Sequence, residues 1–196
     1  MFKINPCAAG CGKPAITGNN LCFTHQANPV QEYERICDYI ENTSAIKDLA
    51  VSGMRFENVN FSNHQFYGCN FMDTSFFQCN FSGVKIRMSF FDFAGFINCN
   101  FVSSDIQFVS FAGASFNSCS FSDSEIIHVN FEGTSAFDTS FNSSNLYNTR
   151  FISADIVKSN FINCNLKRVY FASSKRKDII FKSSNTAEAV FEAEES

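Results

Sequence analysis

The stretch CNFMDTSFFQCNFSG, residues 69–83, places a phenylalanine at every fifth position and a small residue two positions before each one. Helices repeat about every 3.6 residues and strands every 2, so a period of five is not a local secondary structure. Reading every fifth residue from Phe56 to Phe191 gives 28 positions, of which 19 are Phe and six are Ile or Leu. Nearly the whole chain is therefore one repeat array.

Each five-residue unit is predicted to be a short strand with one buried face. A spacing of two puts the small and the large residue on the same face of an extended segment. The five cysteines after residue 60 all occupy the small position, so their size places them there. Glycines that lie two residues after the large one indicate a corner with unusual backbone angles. These glycines are Gly53, Gly68, Gly83, Gly113 and Gly133.

The exceptions to phenylalanine predict how many sides each coil has. One column, formed by every fourth unit, contains Ile86, Ile106, Ile126, Leu146 and Leu166, and a second contains Ala136, Ile156 and Arg176. Only Ala136, Arg176 and Thr186 break the rule of a large apolar residue. Four units per coil produce such columns, so we expect a square solenoid of seven coils, roughly 34 Å long.

The repeat unit is a small residue, then Asn or Asp, then Phe, Leu or Ile, then two more residues, as in CNFMD, CNFSG, ADIVK and CNLKR. Over residues 54–196 this resembles the pentapeptide-repeat proteins. The resemblance implies an all-β fold, a right-handed quadrilateral β-helix. It implies less about function, because only a subset of members has a known role, namely bacterial proteins that bind DNA gyrase or topoisomerase IV and protect them from quinolones.

Residues 1–27 follow a different pattern and resemble a small zinc finger. Cys7, Cys11, Cys22 and His25 have the spacing C-x3-C-x10-C-x2-H. Three thiolates and an imidazole suit tetrahedral zinc, and a segment too short for its own core needs such a crosslink. Four protein ligands leave no open coordination position, so we expect a structural zinc. A loop with incidental cysteines and a redox-labile cluster are the alternatives.

Residues 28–53 are predicted to form a helical cap on the N-terminal end of the solenoid. Asn28 is a good helix N-cap and Pro29 suits the first helical position. One face of this helix is apolar, so we expect it to cover the first coil. That face consists of Tyr33, Ile36, Cys37 and Ile40. Acidic residues outnumber Arg35 along the helix, which disfavours a nucleic-acid recognition helix.

Composition excludes several classes of protein. No secretory signal or membrane span is visible, and nine cysteines, an odd number, do not indicate a disulfide framework. We therefore expect a protein of the reducing cytoplasm. No phosphate-binding loop, nucleophile motif or carboxylate pair is present, so we expect no enzymatic activity. The leading hypothesis is a scaffold that binds another protein through its outer faces.

Charge is segregated along the chain. Residues 88–149 contain six acidic residues and no Lys or Arg, whereas residues 150–182 contain eight basic residues. DNA mimicry toward gyrase or topoisomerase IV is therefore one alternative function. Duplex DNA would present about nine charges over three coils, whereas only Asp105, Asp123 and Glu125 cluster here. Nucleic-acid binding through the zinc segment and the basic coils is a second alternative.

An apolar cluster interrupts the otherwise polar exterior. Outward positions one coil apart place Met88 beside Phe108 and His128, with Ile127 and Tyr147 in the adjoining column. Such clusters often mark protein contacts, so we predict a partner-binding site here. Scattered, functionally neutral surface residues are the alternative.

The C-terminal coil is predicted to mediate homodimerisation. The sequence ends at VFEAEES, directly after Phe191, and an uncovered final coil would expose Phe181 and Phe191 together with unpaired backbone groups. Two such ends meeting about a two-fold axis would bury both. The alternative is that the irregular stretch SSKRKD, where Arg176 breaks the inward pattern, lets the last coil fold over itself.

Overall fold

The structure is a computed structural model and describes residues 5–192. Within this range it contains one α-helix, α1 (Pro29–Glu41), two short 3-10 helices (Phe23–His25 and Thr186–Glu188) and twelve strands of three residues each. The strands are β1 (Ala45–Lys47), β2 (Arg55–Glu57), β3 (Gln65–Tyr67), β4 (Ser75–Phe77), β5 (Lys85–Arg87), β6 (Gly95–Ile97), β7 (Asp105–Gln107), β8 (Ser115–Asn117), β9 (Glu125–Ile127), β10 (Ser135–Phe137), β11 (Asp155–Val157) and β12 (Lys175–Lys177).

The strands form two parallel sheets on different sides of a solenoid. One sheet has the order β1-β3-β5-β7-β9, and the other has the order β2-β4-β6-β8-β10-β11-β12. Phe66 lies opposite Ile86, and the other strands pair in the same way with the equivalent residues of the next coil. Single bridges, such as Asn80 with Asn100, connect the coils on the two remaining sides. The predicted solenoid of about seven four-sided coils is therefore confirmed.

Phenylalanine columns fill the interior. The rings of Phe61, Phe81, Phe101, Phe121 and Phe141 stack with centroids 4.5–5.1 Å apart and planes within 9° of parallel. That separation matches the spacing of neighbouring strands, about 4.8 Å, so rings and backbone keep the same repeat. All five side chains are fully buried. Each contributes about 1.5–3 kcal/mol on burial.

The cysteines of the solenoid pack as small core residues. Cys69, Cys79, Cys99, Cys119 and Cys164 are all buried. Their thiols donate to main-chain carbonyls, as Cys164 does to Phe141 O at 3.0 Å. Burial raises the pKa of Cys69 to about 11, so this thiol stays protonated at neutral pH.

The corners of the solenoid between residues 48 and 183 share a left-handed backbone conformation. Each fifth residue from Asp48 to Ser183 has a φ between 48° and 74°. Only some of these positions are glycine, and others are Met88, Phe93 and Phe108. The glycines therefore predicted the position of the corners correctly, but most corners have a residue other than glycine.

Helix α1 covers the N-terminal end of the solenoid, as predicted. The side chain of Asn28 accepts a hydrogen bond from the N–H of Gln31 (3.2 Å), which caps the helix. Ile36 and Ile40 are buried in the same core as the phenylalanines, and the Tyr33 ring lies 5.8 Å from Phe56. Burial raises the pKa of Tyr33 to about 12.

The first coil begins earlier than the predicted boundary at residue 54. Helix α1 ends at Glu41, and β1 follows at Ala45–Lys47 and pairs with β3. Ile46 and Val51 are buried and continue the five-residue spacing backwards from Phe56. The five-residue period is less visible in this part of the sequence, because Ile46 and Val51 occupy positions at which later coils have Phe.

The C-terminal coil is partly covered by its own residues. Phe181 and Phe191 are half-buried and stack on the preceding coil, as Phe191 does on Phe171 at 5.3 Å. Arg176, which lies at an inward position, is exposed and places its guanidinium 5.0 Å from the centre of the Phe191 ring. It also donates to Phe171 O (3.4 Å). These contacts agree with the alternative in which the last coil folds over itself, and dimerisation through this end stays a prediction.

Within residues 5–192, no helix is both long and apolar enough to cross a membrane.

The phenylalanine columns predict a large loss of stability on truncation. Phe101 packs between Phe81 and Phe121, with 4.5 Å between ring centroids on each side. We expect Phe101→Ala to lower the free energy of unfolding by about 3–5 kcal/mol, because it leaves a cavity in the column. Denaturant unfolding measures the change. Phe108→Ala is the matched control on the exterior and should change stability by less than about 1 kcal/mol. Equal losses in both variants would contradict the assignment of Phe101 to the core.

Candidate functional site

Four side chains near the N-terminus form a cluster that could hold a metal ion. The Sγ atoms of Cys7, Cys11 and Cys22 and a ring nitrogen of His25 all lie within 4.8 Å of one another. Cys11 Sγ is 3.6 Å from Cys22 Sγ, and His25 Nδ1 is 3.4 Å from Cys22 Sγ. Two sulfurs bound to one tetrahedral zinc are about 3.8 Å apart. The donor set and its dimensions fit a four-coordinate metal.

Short turns bring the two pairs of candidate ligands together. Cys7 N–H donates to Lys13 O (2.9 Å), and Gly10 and Gly12 take left-handed angles on either side of Cys11. The 3-10 helix Phe23–His25 directly follows the third ligand and places the imidazole beside that thiol.

Hydrogen bonds around the cluster favour charged sulfur at two of the three thiols. The backbone N–H of Cys22 donates to Cys7 Sγ (3.2 Å) and lowers the pKa of that thiol. Burial disfavours the thiolate of Cys22, but hydrogen bonds that include the Thr24 hydroxyl (3.2 Å) outweigh it, and the pKa is lowered. Although the backbone N–H of Lys13 favours a thiolate at Cys11, burial and the neighbouring thiols raise its pKa. A bound cation would favour the thiolate at all three, which is the form of cysteine that binds metal.

The N-terminal segment is joined to the first coil by two hydrogen bonds between Thr17 and Ala50. Thr17 N–H donates to Ala50 O (2.9 Å), and Ala50 N–H donates to Thr17 Oγ1 (2.6 Å). Arg35 from α1 donates to Thr17 O (2.6 Å). The candidate metal centre therefore lies beside the N-terminal cap, away from the other coils.

The second candidate site is the aromatic corner, which we define as Met88, Phe108, Ile127, His128 and Tyr147. The structure brings the three rings together. His128 stacks on Phe108 with 5.1 Å between centroids, and Tyr147 meets His128 edge-on at 5.7 Å. Met88 and Phe108 are 55% and 57% exposed, whereas Ile127 and Tyr147 are half-buried.

Polar groups continue the aromatic corner toward the C-terminus. Asn148 Nδ2 lies 2.6 Å from His128 Nδ1, and Arg168 donates to the Tyr147 hydroxyl (3.3 Å). The rings of Phe108, His128 and Tyr147, with the Asn148 amide and the Arg168 guanidinium, thus form a ladder of planar groups along one edge of the solenoid.

The acidic residues predicted as a cluster are partly neutralised. Asp105 and Glu125 are neighbours in the five-stranded sheet. Arg87 forms an ion pair with Asp105, and Asn145 donates to Glu125 (2.7 Å). Of these acidic residues, only Asp105 is neutralised by an ion pair within residues 5–192, because the Asn145 amide is uncharged, but so few acidic groups do not reproduce the charge density of duplex DNA.

Comparison with known families decides the family of the chain. The model of the pentapeptide-repeat family, described as pentapeptide repeats, matches residues 55–91, 99–135 and 137–172 in eight copies. These ranges cover more than half of the sequence. The chain belongs to the pentapeptide-repeat family. No curated protein matches the sequence.

Solved structures of other pentapeptide-repeat and resistance proteins share limited similarity with the chain. A trypsin-treated variant of QnrB1, a plasmid-mediated fluoroquinolone resistance protein, is 19% identical over 68% of this chain and 83% of its own, with a TM-score of 0.42. HetL from the cyanobacterium Nostoc sp. strain PCC 7120, involved in heterocyst differentiation regulation, is 12% identical over 82% and 95%, with a TM-score of 0.36. At this level neither similarity carries a functional argument.

The pentapeptide-repeat exterior also contains an apolar surface that our sequence reading missed. Phe77, Ile97, Phe137 and Val157 all point outward from the seven-stranded sheet, and Ile97 and Phe137 are 45% and 42% exposed. The coil-to-coil spacing that identified the aromatic corner could have found this column as well.

Proposed function

We propose that the chain is a non-enzymatic scaffold that binds another protein through the aromatic corner. The observation that carries this proposal is the contiguous arrangement of three rings on the surface, in which the exposed Phe108 and His128 stack and the half-buried Tyr147 meets His128 edge-on. Exposed aromatic groups in a contiguous patch are typical of protein contacts. The neighbouring region, residues 88–149, contains no Lys or Arg, so it fits a partner without a strongly acidic surface.

The backbone at the aromatic corner supports a role beyond folding. Met88 and Phe108 have φ angles of 48° and 56°. A left-handed conformation costs a bulky residue roughly 1–2 kcal/mol, and most other corners have Gly, Asn, Asp or Ser. These side chains gain little from burial in the monomer, because more than half of each is exposed. A contact with a partner would compensate for this cost.

We further propose that the N-terminal cluster binds one structural zinc ion. Four protein donors complete a tetrahedral shell, so the site has no open position for a substrate or a nucleophilic water. The residues that would hold the ion are Cys7, Cys11, Cys22 and His25. The ion would stabilise residues 5–27, which bury few side chains of their own.

Binding to gyrase or topoisomerase IV is the second candidate. The observation in its favour is the excess of acidic residues in 88–149. The ion pair between Arg87 and Asp105 and the basic coils that follow count against it. The same basic coils are the basis for the third candidate, nucleic-acid binding, which the acidic residues of α1 disfavour.

The zinc proposal predicts one equivalent of zinc per chain. Protein purified without added zinc should contain one equivalent by metal analysis, and Cys22→Ser should contain well below half because it loses a ligand. Cys37→Ser is the matched control and should retain the metal, since Cys37 lies on α1 outside the cluster. Zinc-free wild-type protein would contradict the proposal. Chelation should increase hydrogen exchange in residues 5–27 and leave the solenoid protected.

The aromatic corner predicts a defined loss of partner binding. We expect Phe108→Ser combined with Ile127→Ser to abolish capture of the wild-type partner, measured by quantitative mass spectrometry after affinity purification. The thermal transition should be nearly unchanged, because Phe108 is exposed and Ile127 half-buried. Ile180→Ser, an exposed apolar residue on another side of the solenoid, is the control and should capture normally. Equal capture by the double variant would refute the corner as the binding site.

The sparse acidic surface predicts no effect on gyrase. In a supercoiling assay at about micromolar protein, a range in which a specific partner should already bind, we expect neither inhibition nor protection from a quinolone. A clear effect of either kind would make topoisomerase binding the leading function.

A further inference from the structure

A self-complementary strip runs along the seven-stranded sheet. We define the sheet strip as the third residue of each strand, which points outward. It contains Glu57, Phe77, Ile97, Asn117, Phe137, Val157 and Lys177. All seven are exposed or half-buried.

The order of residues in the sheet strip is symmetric about its centre. Strand β8 is the fourth of seven strands, so Asn117 is the central residue. Two apolar residues flank it on each side, and the ends carry opposite charges, Glu57 at one end and Lys177 at the other. A surface of this kind is complementary to a second copy of itself in which the order of the strands is reversed.

We propose that a second copy of this chain packs on the sheet strip about a two-fold axis that lies in the interface along β8, at Asn117. The axis would place Glu57 opposite the partner's Lys177 and Ile97 opposite the partner's Phe137. Phe77 would meet the partner's Val157, and the two Asn117 amides would meet each other, where each can donate to the other's carbonyl oxygen. A two-fold interface needs this kind of self-complementarity, in which each residue and its counterpart exchange roles.

The residues beside the sheet strip permit close approach. The first residues of β4, β6, β8 and β10 are Ser75, Gly95, Ser115 and Ser135, all small. Because these residues are small, the aromatic side chains of the sheet strip beside them have room to tilt into the interface. The outward first and third residues of β4, β6, β8 and β10 carry no charge to desolvate. Two charges lie close by: the Lys158 ammonium is 5.4 Å from the centre of the Phe137 ring, and Asp155 is the exposed first residue of β11. The long Lys158 side chain can turn toward water, and the axis places Asp155 opposite the partner's Ser75, whose hydroxyl can donate to it.

The charges at the two ends remain available for a partner. Glu57 contacts Arg55 at 3.3 Å, but both side chains are largely exposed and such a pair contributes little. Lys177 has no ion pair within residues 5–192. The same axis brings Arg55 and the partner's Lys175 to the edge of the interface, where both long side chains can turn toward water.

The area of the sheet strip predicts a weak dimer. Six strand spacings give a length of about 29 Å, and a side of about five residues is about 15 Å wide. Each copy would then bury about 450 Å², and the total would fall below the about 1,200 Å² of standard interfaces. We expect dissociation constants of micromolar or weaker, so association must be measured over a wide range of concentration.

A charge exchange tests this interface. Sedimentation equilibrium of the full chain from about 10 to about 300 micromolar should show a monomer–dimer equilibrium. Glu57→Lys should weaken the dimer by at least about tenfold, because Lys then faces Lys at both ends, and Lys177→Glu should do the same. The double variant E57K/K177E restores opposite charges and should dimerise within about threefold of wild type. Circular dichroism confirms that the variants fold.

A cysteine on the axis provides an independent test. Asn117→Cys should form a disulfide-linked dimer under mild oxidation, because a residue on a two-fold axis meets its own copy. Asn100→Cys, on another side of the solenoid, is the control and should crosslink far less.

Two outcomes would overturn the proposal. One is a protein that stays monomeric over the whole range, and the other is a dimer that single charge reversals leave intact or that the double variant fails to restore. Phe191→Asp separates this interface from the C-terminal end. If Phe191→Asp abolishes the dimer and Glu57→Lys does not, dimerisation occurs through the C-terminal coil and not through the sheet strip. The aromatic corner lies on another side of the solenoid, so partner binding there is independent of each of these results.

Discussion

The stacking of one aromatic ring on the next at the spacing of β-strands is the interaction on which the structure depends. Phe81, Phe101 and Phe121 lie 4.5 Å apart, close to the distance that main-chain hydrogen bonds impose on neighbouring coils. Rings and backbone therefore reinforce the same coil-to-coil repeat. Any residue that is not part of this repeat must point outward, so the core also determines which positions are free for recognition.

Much of the fold was predictable because it depends on a regular period. The positions of the sides, the buried cysteines and the helical cap all follow from spacing and size, and the candidate metal ligands from Cys7 to His25 follow from their order in the sequence. The start of the first coil was harder to predict, since Ile46 and Val51 replace the phenylalanines that make the period visible. The contact of Arg176 with Phe191 was beyond sequence reasoning, because it depends on where a long side chain turns at the end of the rod.

The exterior separates possible functions onto different surfaces. The candidate metal centre lies at the N-terminal end, the aromatic corner on one edge and the sheet strip on a face of the seven-stranded sheet. Because these surfaces do not share residues, we expect a substitution on one of them to leave the others intact. The coil-to-coil spacing that revealed the aromatic corner also contains the apolar residues of the sheet strip, but the number of strands in the sheet was needed to identify Asn117 as the centre of the strip.

The two ends of the solenoid differ, and this difference bears on how the chain is made. Ile36 and Ile40 of α1 close the N-terminal end, whereas at the other end of the described residues the Arg176 guanidinium lies over the Phe191 ring. During synthesis, α1 and the first coil leave the ribosome before the rest of the repeat. They present a finished surface of rings and hydrogen-bonding groups on which each new coil can assemble as it emerges. Growth from a preformed template avoids the search for distant contacts, and the nascent protein can fold at the pace of translation.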